Sequence, residues 1–276
     1  MMLISAMEAF EMIKHEKIIC VDCRFQLGEP EQGKHSYLHG HLPQAIYADL
    51  EKDLSGEVKE TGGRHPLPEL NSFIEFLKNN GIDKDTKVIV YDENLAFASR
   101  FYWMLQYTDH ENAYLLNGGW QEWVKLGYPM EKGNVAHSPK SEYGDYQVNK
   151  NMLATQEEVQ FATQTSTCYL LDSRSPERYR GEYEPIDQKA GHIPNAINYD
   201  WQELMDRKGM FKEVSELESR FSNLDKNKEV IVYCGSGVTA VPNVIGLWSV
   251  GFKSVKLYVG SFSDWITNDK NKVETF

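Results

Sequence analysis

Cysteine is scarce in this chain, with four in 276 residues. That excludes a disulfide framework, and the thiols are expected to be free, as in a reducing compartment. Cys20 and Cys23 stand at C-x-x-C spacing. They fall on an expected strand, where residues three apart point to opposite faces, and no second Cys/His pair stands at zinc spacing. They read as core cysteines, and no metal site is expected. Basic residues are outnumbered, 29 Lys and Arg against 41 Asp and Glu, for a formal net charge of −12. With no basic run, nucleic acid is excluded as the main partner. No apolar stretch approaches the ~20 residues of a membrane span. The start, Met1-Met2-Leu3-Ile4-Ser5, reaches an acid at Glu8 without a positive region ahead of an apolar stretch, unlike a secretory signal. A cytoplasmic protein with no membrane partner is expected. The bulk composition, 41% hydrophobic and 25% charged, is that of a globular protein, and the length suits two domains of ~150 residues each.

What the chain does have is an internal repeat. Ser5-x-x-Glu8 recurs as Thr155-x-x-Glu158, Val21-Asp22-Cys23-Arg24 as Leu171-Asp172-Ser173-Arg174, and Gly40-His41-Leu42-Pro43 as Gly191-His192-Ile193-Pro194. Val88-Ile89-Val90-Tyr91-Asp92 recurs as Val230-Ile231-Val232-Tyr233-Cys234, and Trp120-x-x-Trp123 as Phe262-x-x-Trp265. Five matches in one order indicate two homologous halves. The spacing shortens between the third and fourth matches, so the first half carries an insertion between His41 and Asp92. It falls in the Gly-, Lys- and Glu-rich stretch from Glu51 to His65, and such loops often carry function.

Within each half, short apolar runs alternate with helical stretches. Strands are expected at Ile18–Val21, Thr86–Asp92, Tyr169–Leu171 and Glu229–Tyr233, and helices at Glu69–Asn79, Ala98–Tyr107 and after Val238. The runs do not alternate apolar with polar, which suits a sheet buried on both faces. The fold class is α/β, a tandem duplication in which each half is a mainly parallel sheet flanked by helices. The polar stretch Glu131–Lys150, with Gly133, Pro139 and Gly144, reads as a linker between domains at 1–130 and 151–276. The serine and threonine of the first match fit helix capping boxes. The repeated Asp–Arg pairs, His41 and His192, and the aromatic pairs occur in both halves and read as structural.

The halves differ at one point. Cys234 ends a strand and opens the loop Cys234-Gly235-Ser236-Gly237-Val238-Thr239, where the first half has Asp92-Glu93-Asn94-Leu95-Ala96. Ligands of open α/β sheets bind beyond the carboxyl ends of strands. A helix start offers unpaired amides, and two glycines let backbone amides converge on the sulfur. Such a cradle favours the thiolate, which is the nucleophile. It would equally hold a persulfide or an anionic substrate.

The pattern resembles the two-domain rhodanese-type sulfurtransferases, that is, the thiosulfate and 3-mercaptopyruvate sulfurtransferases. It does so through Asp172-Ser173-Arg174, Arg178-Tyr179, Gly191-His192-Ile193-Pro194, Cys234-Gly235-Ser236-Gly237-Val238-Thr239-Ala240 and Val259-Gly260-Ser261. The resemblance implies that the first domain is catalytically silent, matching Asp92. It also implies that Cys234 takes a sulfane sulfur as a persulfide, without a cofactor, and passes it to a thiol or cyanide, or to a reduced thioredoxin. Gly235, Gly237, Val238 and Thr239 would line the substrate, and Arg178 would bind the donor carboxylate, a bidentate pairing that guanidinium suits. The family's second arginine is missing, because Glu184-Pro185-Ile186-Asp187 puts an acid about where it would stand. Gly235 and Ser236 are neutral, as in the mercaptopyruvate type. In that type the serine joins a histidine and an acid from the first half, here Ser236, His65 and Glu51, with Asp49 the second choice for the acid. Such a relay could protonate a leaving enolate. An alternative is a non-enzymatic persulfide carrier. A cysteine phosphatase of the same fold needs an arginine six residues after the cysteine, and Ala240 stands there.

Overall fold

The computed structural model describes residues 3–135 and 140–276. Met1, Met2 and Pro139 of the expected linker lie outside them. The chain forms two compact units. Unit 1 is Met1–Gly56, Leu67–Asn149 and Lys208–Met210; unit 2 is Glu57–Pro66, Lys150–Arg207 and Phe211–Phe276.

In unit 1 the order is β1 (Leu3–Ile4), α1 (Ala6–His15), β2 (Ile18–Asp22), α2 (Gln32–His39), β3 (Ile46–Tyr47), α3 (Leu70–Asn79), β4 (Lys87–Tyr91), α4 (Ala96–Tyr107), β5 (Ala113–Leu116) and α5 (Gly119–Lys125). The strands lie in the order β1-β5-β4-β2-β3, and every pairing is parallel. Unit 2 repeats the plan with α6 (Gln156–Ala162), β6 (Cys168–Asp172), α7 (Pro176–Arg180), β7 (Ile197–Asn198), α8 (Val214–Arg220), β8 (Glu229–Tyr233), α9 (Val241–Ser249), β9 (Val255–Leu257) and α10 (Ser261–Trp265). Its parallel sheet runs β7-β6-β8-β9. The central strands β2 and β8 are buried almost throughout, as continuous apolar runs require in a sheet covered on both faces. This is the α/β duplication expected from the repeat. Among the described residues no helix is long and apolar enough to cross a membrane.

The repeated motifs do the same work twice. Ser5 and Thr155 cap α1 and α6 in reciprocal boxes with Glu8 and Glu158. After β2 and β6 a buried carboxylate takes the arginine two residues on, with Arg24 Nη2 2.6 Å from Asp22 Oδ2 and Arg174 Nη2 2.6 Å from Asp172 Oδ2. Each arginine also lies over an aromatic ring, Arg24 on Trp120 and Arg174 on Phe262. The imidazoles of His41 and His192 bond backbone carbonyls and stack on Tyr37 and Tyr179. Cys20 and Cys23 are both buried in unit 1.

Two further segments connect the repeated elements. Residues 131–135 and 140–149 lie along unit 1, through Gly133 N–H to the Leu38 carbonyl, Ser141 N–H to Lys78 and Asn149 N–H to Tyr107. Residues 57–66, in the stretch where the first repeat is longer, cluster with unit 2, and residues 208–210, which follow β7 as residues 57–66 follow β3, cluster with unit 1. The backbone leaves and re-enters unit 1 at nearly one point, since a β-carbon on Gly56 would lie 2.6 Å from the Leu67 carbonyl oxygen.

Candidate active site

The site is built at the carboxyl end of β8 in unit 2. Cys234 follows the strand and is 1% exposed. Its N–H donates to Ser261 Oγ at 3.1 Å. Its carbonyl accepts Phe262 N–H and that of Gly235 accepts Ser263 N–H, each at 3.0 Å, so the first turn of α10 pins the loop from below. Gly237 sits at φ +73, where a β-carbon would lie 2.2 Å from the Val259 carbonyl oxygen. Only glycine makes this turn without strain. The helix α9 then starts at Val241, with Pro242 in its first turn, where the missing N–H costs nothing.

The loop amides are the informative feature. Among the described residues, the N–H groups of Gly235, Ser236, Val238, Thr239 and Ala240 donate to no protein acceptor. Buried backbone donors are nearly always paired, so this run has donors to offer an anion. Unit 1 shows what such a loop holds. There the Asp92 carboxylate accepts the amides of Asn94 at 2.9 Å, Phe97 at 2.7 Å and Ala98 at 3.0 Å, together with that of Leu95. One half fills its cradle with its own carboxylate. The other places a sulfur at the same repeat position and leaves the amides open.

The segment Glu57–Pro66 completes the site. Gly62 N–H donates to Asp264 Oδ1 at 2.6 Å and Arg64 N–H to Ser263 Oγ at 3.2 Å. Gly63, at φ +82, lies against the backbone of Gly260, where a β-carbon would be 2.3 Å from its oxygen. Docked this way, His65 Nδ1 lies 2.8 Å from Ser236 Oγ, both residues being buried. The structure therefore brings together Cys234, Ser236 and His65. Of the two acids considered for the relay, Asp49 accepts the amides of Glu51 and Lys52 on Oδ1 within unit 1. Glu51 is exposed there.

Arg178, on the short helix α7, does not pair with its sequence neighbours Glu177 or Glu182. Its Nε and Nη2 bond Glu184 at 3.0 and 2.8 Å, and Nη2 also reaches Asp187 Oδ2 at 3.0 Å. The other oxygen of Asp187 takes Arg64 Nη1. Burial pushes the Asp187 carboxyl above its ordinary value; Arg64 and Arg178 oppose that rise and Glu184 adds to it. Burial also works against ionised Glu184, but hydrogen bonds from Arg178 and from the amides of Asp187 and Ile186 bring it below the usual carboxylate range. Both guanidinium groups converge on the cysteine loop. A β-carbon on Gly235 would stand 2.9 Å from Arg64 Nη2 and 3.3 Å from Arg178 Nη2. Sequence reasoning passed over Arg64, although it adjoins His65 and although the acid at Asp187 called for a cation. Among the described residues no cluster of three His, Cys, Asp or Glu side chains suits a metal ion.

Comparison with known proteins agrees with this geometry. The rhodanese-like domain matches twice, over residues 5–126 and 150–268. A probable 3-mercaptopyruvate sulfurtransferase of Pseudomonas aeruginosa is 36% identical over 99% of this chain and 98% of its own length. A putative thiosulfate sulfurtransferase of Mycobacterium tuberculosis is 36% identical over 98% of this chain and 96% of its own. Among solved structures, the SseA 3-mercaptopyruvate enzyme of Escherichia coli superposes with a TM-score of 0.83 at 32% identity, covering 95% of this chain and 98% of that one. The chain belongs to the rhodanese-like family, as a two-domain sulfurtransferase.

Proposed function

We propose that this protein moves a sulfane sulfur from 3-mercaptopyruvate or thiosulfate to a thiol or cyanide through a persulfide on Cys234. The observation that carries the reading is the run of open amides around a buried cysteine, set against the same loop of unit 1 closed by Asp92. Unit 1 is on this reading catalytically silent.

The Cys234 thiolate attacks the donor's transferable sulfur. With thiosulfate the S–S bond breaks and sulfite leaves with the bonding pair. With 3-mercaptopyruvate the C–S bond breaks, and the departing pyruvate enolate takes a proton relayed through Ser236 and His65. The persulfide's outer sulfur is then attacked by cyanide, giving thiocyanate, or by a thiolate, giving a new persulfide; either returns the Cys234 thiolate. A reduced thioredoxin is an acceptor of the right chemistry. The loop amides of Gly235, Ser236, Val238 and Thr239 hold the charge on sulfur before and after transfer, the role of preorganised donors at a developing anion. Arg178 faces the donor's anionic group.

The test is a paired assay with either donor and cyanide. Cys234→Ser is expected to abolish thiocyanate formation and the gain of one sulfur in the intact-protein mass, with an unchanged circular dichroism spectrum. Transfer retained by that variant overturns the proposal. A wild-type protein that gains the sulfur yet turns over neither donor would instead be a persulfide carrier.

A further inference from the structure

Arg64 is the cation that the sequence of the second half lacks. Its guanidinium has five N–H groups, and among the described residues only Nη1 is engaged, on Asp187. Its Nη2 points at the loop one residue from Cys234. Arg178, by contrast, is tied along one edge to Glu184, while its Nη1 has no protein acceptor among the described residues. Glu184 is itself committed to Arg174 and to two backbone amides. Three arginines thus face three carboxylates: Arg64, Arg174 and Arg178 against Asp172, Glu184 and Asp187. The cluster is balanced as long as Asp187 is ionised.

We infer that Arg64 and Arg178 together bind the anionic end of the sulfur donor, and that Asp187, which bridges them, is a built-in counter-anion that sets how tightly they do so. The inference rests on the sulfurtransferase reading. The donor's carboxylate, or the sulfonate end of thiosulfate, lies against the unused N–H groups of the two arginines beside Gly235. Asp187 keeps the two guanidinium groups side by side while the site is empty, and its charge opposes the incoming anion. The residue that weakens the donor's hold is thus the one that positions both arginines.

The measurement is steady-state kinetics with thiosulfate and with 3-mercaptopyruvate, cyanide as acceptor, on Arg64→Gln, Arg64→Lys, Asp187→Asn and the double variant Arg64→Gln/Asp187→Asn. Thermal melts check that each folds. Arg64→Gln is expected to raise KM for both donors at least ~10-fold with kcat within about threefold, the signature of lost ground-state binding. Arg64→Lys should recover only part of this, since an ammonium keeps the charge without the fork. Asp187→Asn should lower KM about threefold or more. The double variant separates direct binding from mere loss of Asp187's partner: its KM should stay well above that of Asp187→Asn alone. An unchanged KM in Arg64→Gln, a double variant that matches Asp187→Asn, or a raised KM in Asp187→Asn overturns the inference. Wild-type turnover in the same assay keeps that outcome distinct from a failure of the sulfurtransferase reading, in which no protein of the set would turn over.

Discussion

At Asp92 and Cys234 one position of a duplicated fold carries two chemistries, and the backbone around each shows why. The Asp92 carboxylate accepts four loop amides. Such bonds favour the ionised form, but complete burial opposes them and prevails, so its pKa is pushed up to about 6. The pH consequence has a definite sign. The native state holds this proton at a pH where the unfolded chain, near an ordinary aspartate pKa of ~3.9, has released it. Stability must then fall as pH rises across that window, because the native state binds more protons. Urea midpoints from about pH 4 to about pH 6 should decline more steeply for the wild type than for Asp92→Asn. A steeper decline in Asp92→Asn would mean that the amides outweigh burial. The second test at this scale concerns His65. With Nδ1 on Ser236 Oγ, on the proposed mechanism it would serve the enolate proton but not a departing sulfite. His65→Ala should cut kcat/KM for 3-mercaptopyruvate by ~10²-fold or more, the usual scale of general acid–base assistance, and affect thiosulfate far less. Equal losses on both donors would remove it from the proton path.

Among the elements, the strands were the most legible. Short continuous apolar runs rich in β-branched residues, such as Val230–Tyr233, suit buried sheet, and β8 spans the expected residues. The helix after the cysteine was expected from Val238 and begins at Val241. The intervening residues stay non-helical to keep their amides turned out of the helix ladder, a demand of the site rather than of hydrophobic periodicity. The Asp–Arg repeats were read as structural, and unit 2 shows how much hangs on one. Asp172 and Arg174 are both buried, and Arg174 also bonds Glu184 and the Gly191 carbonyl and covers Phe262 of α10. Removing one partner of such a pair strands a buried charge, at a cost of about 3–5 kcal/mol. Asp172→Ala should lose that much by denaturant titration, and more than removal of an exposed, solvent-screened pair such as Arg180–Glu182. A loss under ~1 kcal/mol for Asp172→Ala would show that Arg174 finds other compensation. What no local pattern could give is where Glu57–Pro66 docks. Its contacts, Gly62 to Asp264 and Arg64 to Ser263, join residues about two hundred apart in sequence, so their partners become visible only when the chain is folded. For the same reason the bonds of Arg178 to Glu184 and Asp187 were not legible beside its expected role at the donor carboxylate.

For the molecule as a whole, the duplication has not simply produced two copies. The second half keeps the cysteine and the open cradle, while His65 and Arg64, beside them, come from residues 57–66 of the longer first repeat, which cluster with unit 2. Because Gly56 and Leu67 adjoin, those residues form a loop whose ends are already together, the kind of segment that can change without disturbing the body it leaves. Exchanging residues 57–66 for a Gly/Ser stretch of equal length should therefore leave the circular dichroism spectrum unchanged and Cys234 still able to gain a sulfur from concentrated thiosulfate. It should also raise KM for both donors, through Arg64, and reduce 3-mercaptopyruvate turnover by ~10²-fold or more, through His65. The two effects are separable, because restoring only Arg64 in the exchanged loop should repair KM and not kcat. Should the exchanged protein turn over 3-mercaptopyruvate like the wild type, the second half alone would hold the whole machinery, and the inserted loop would be packing and nothing more.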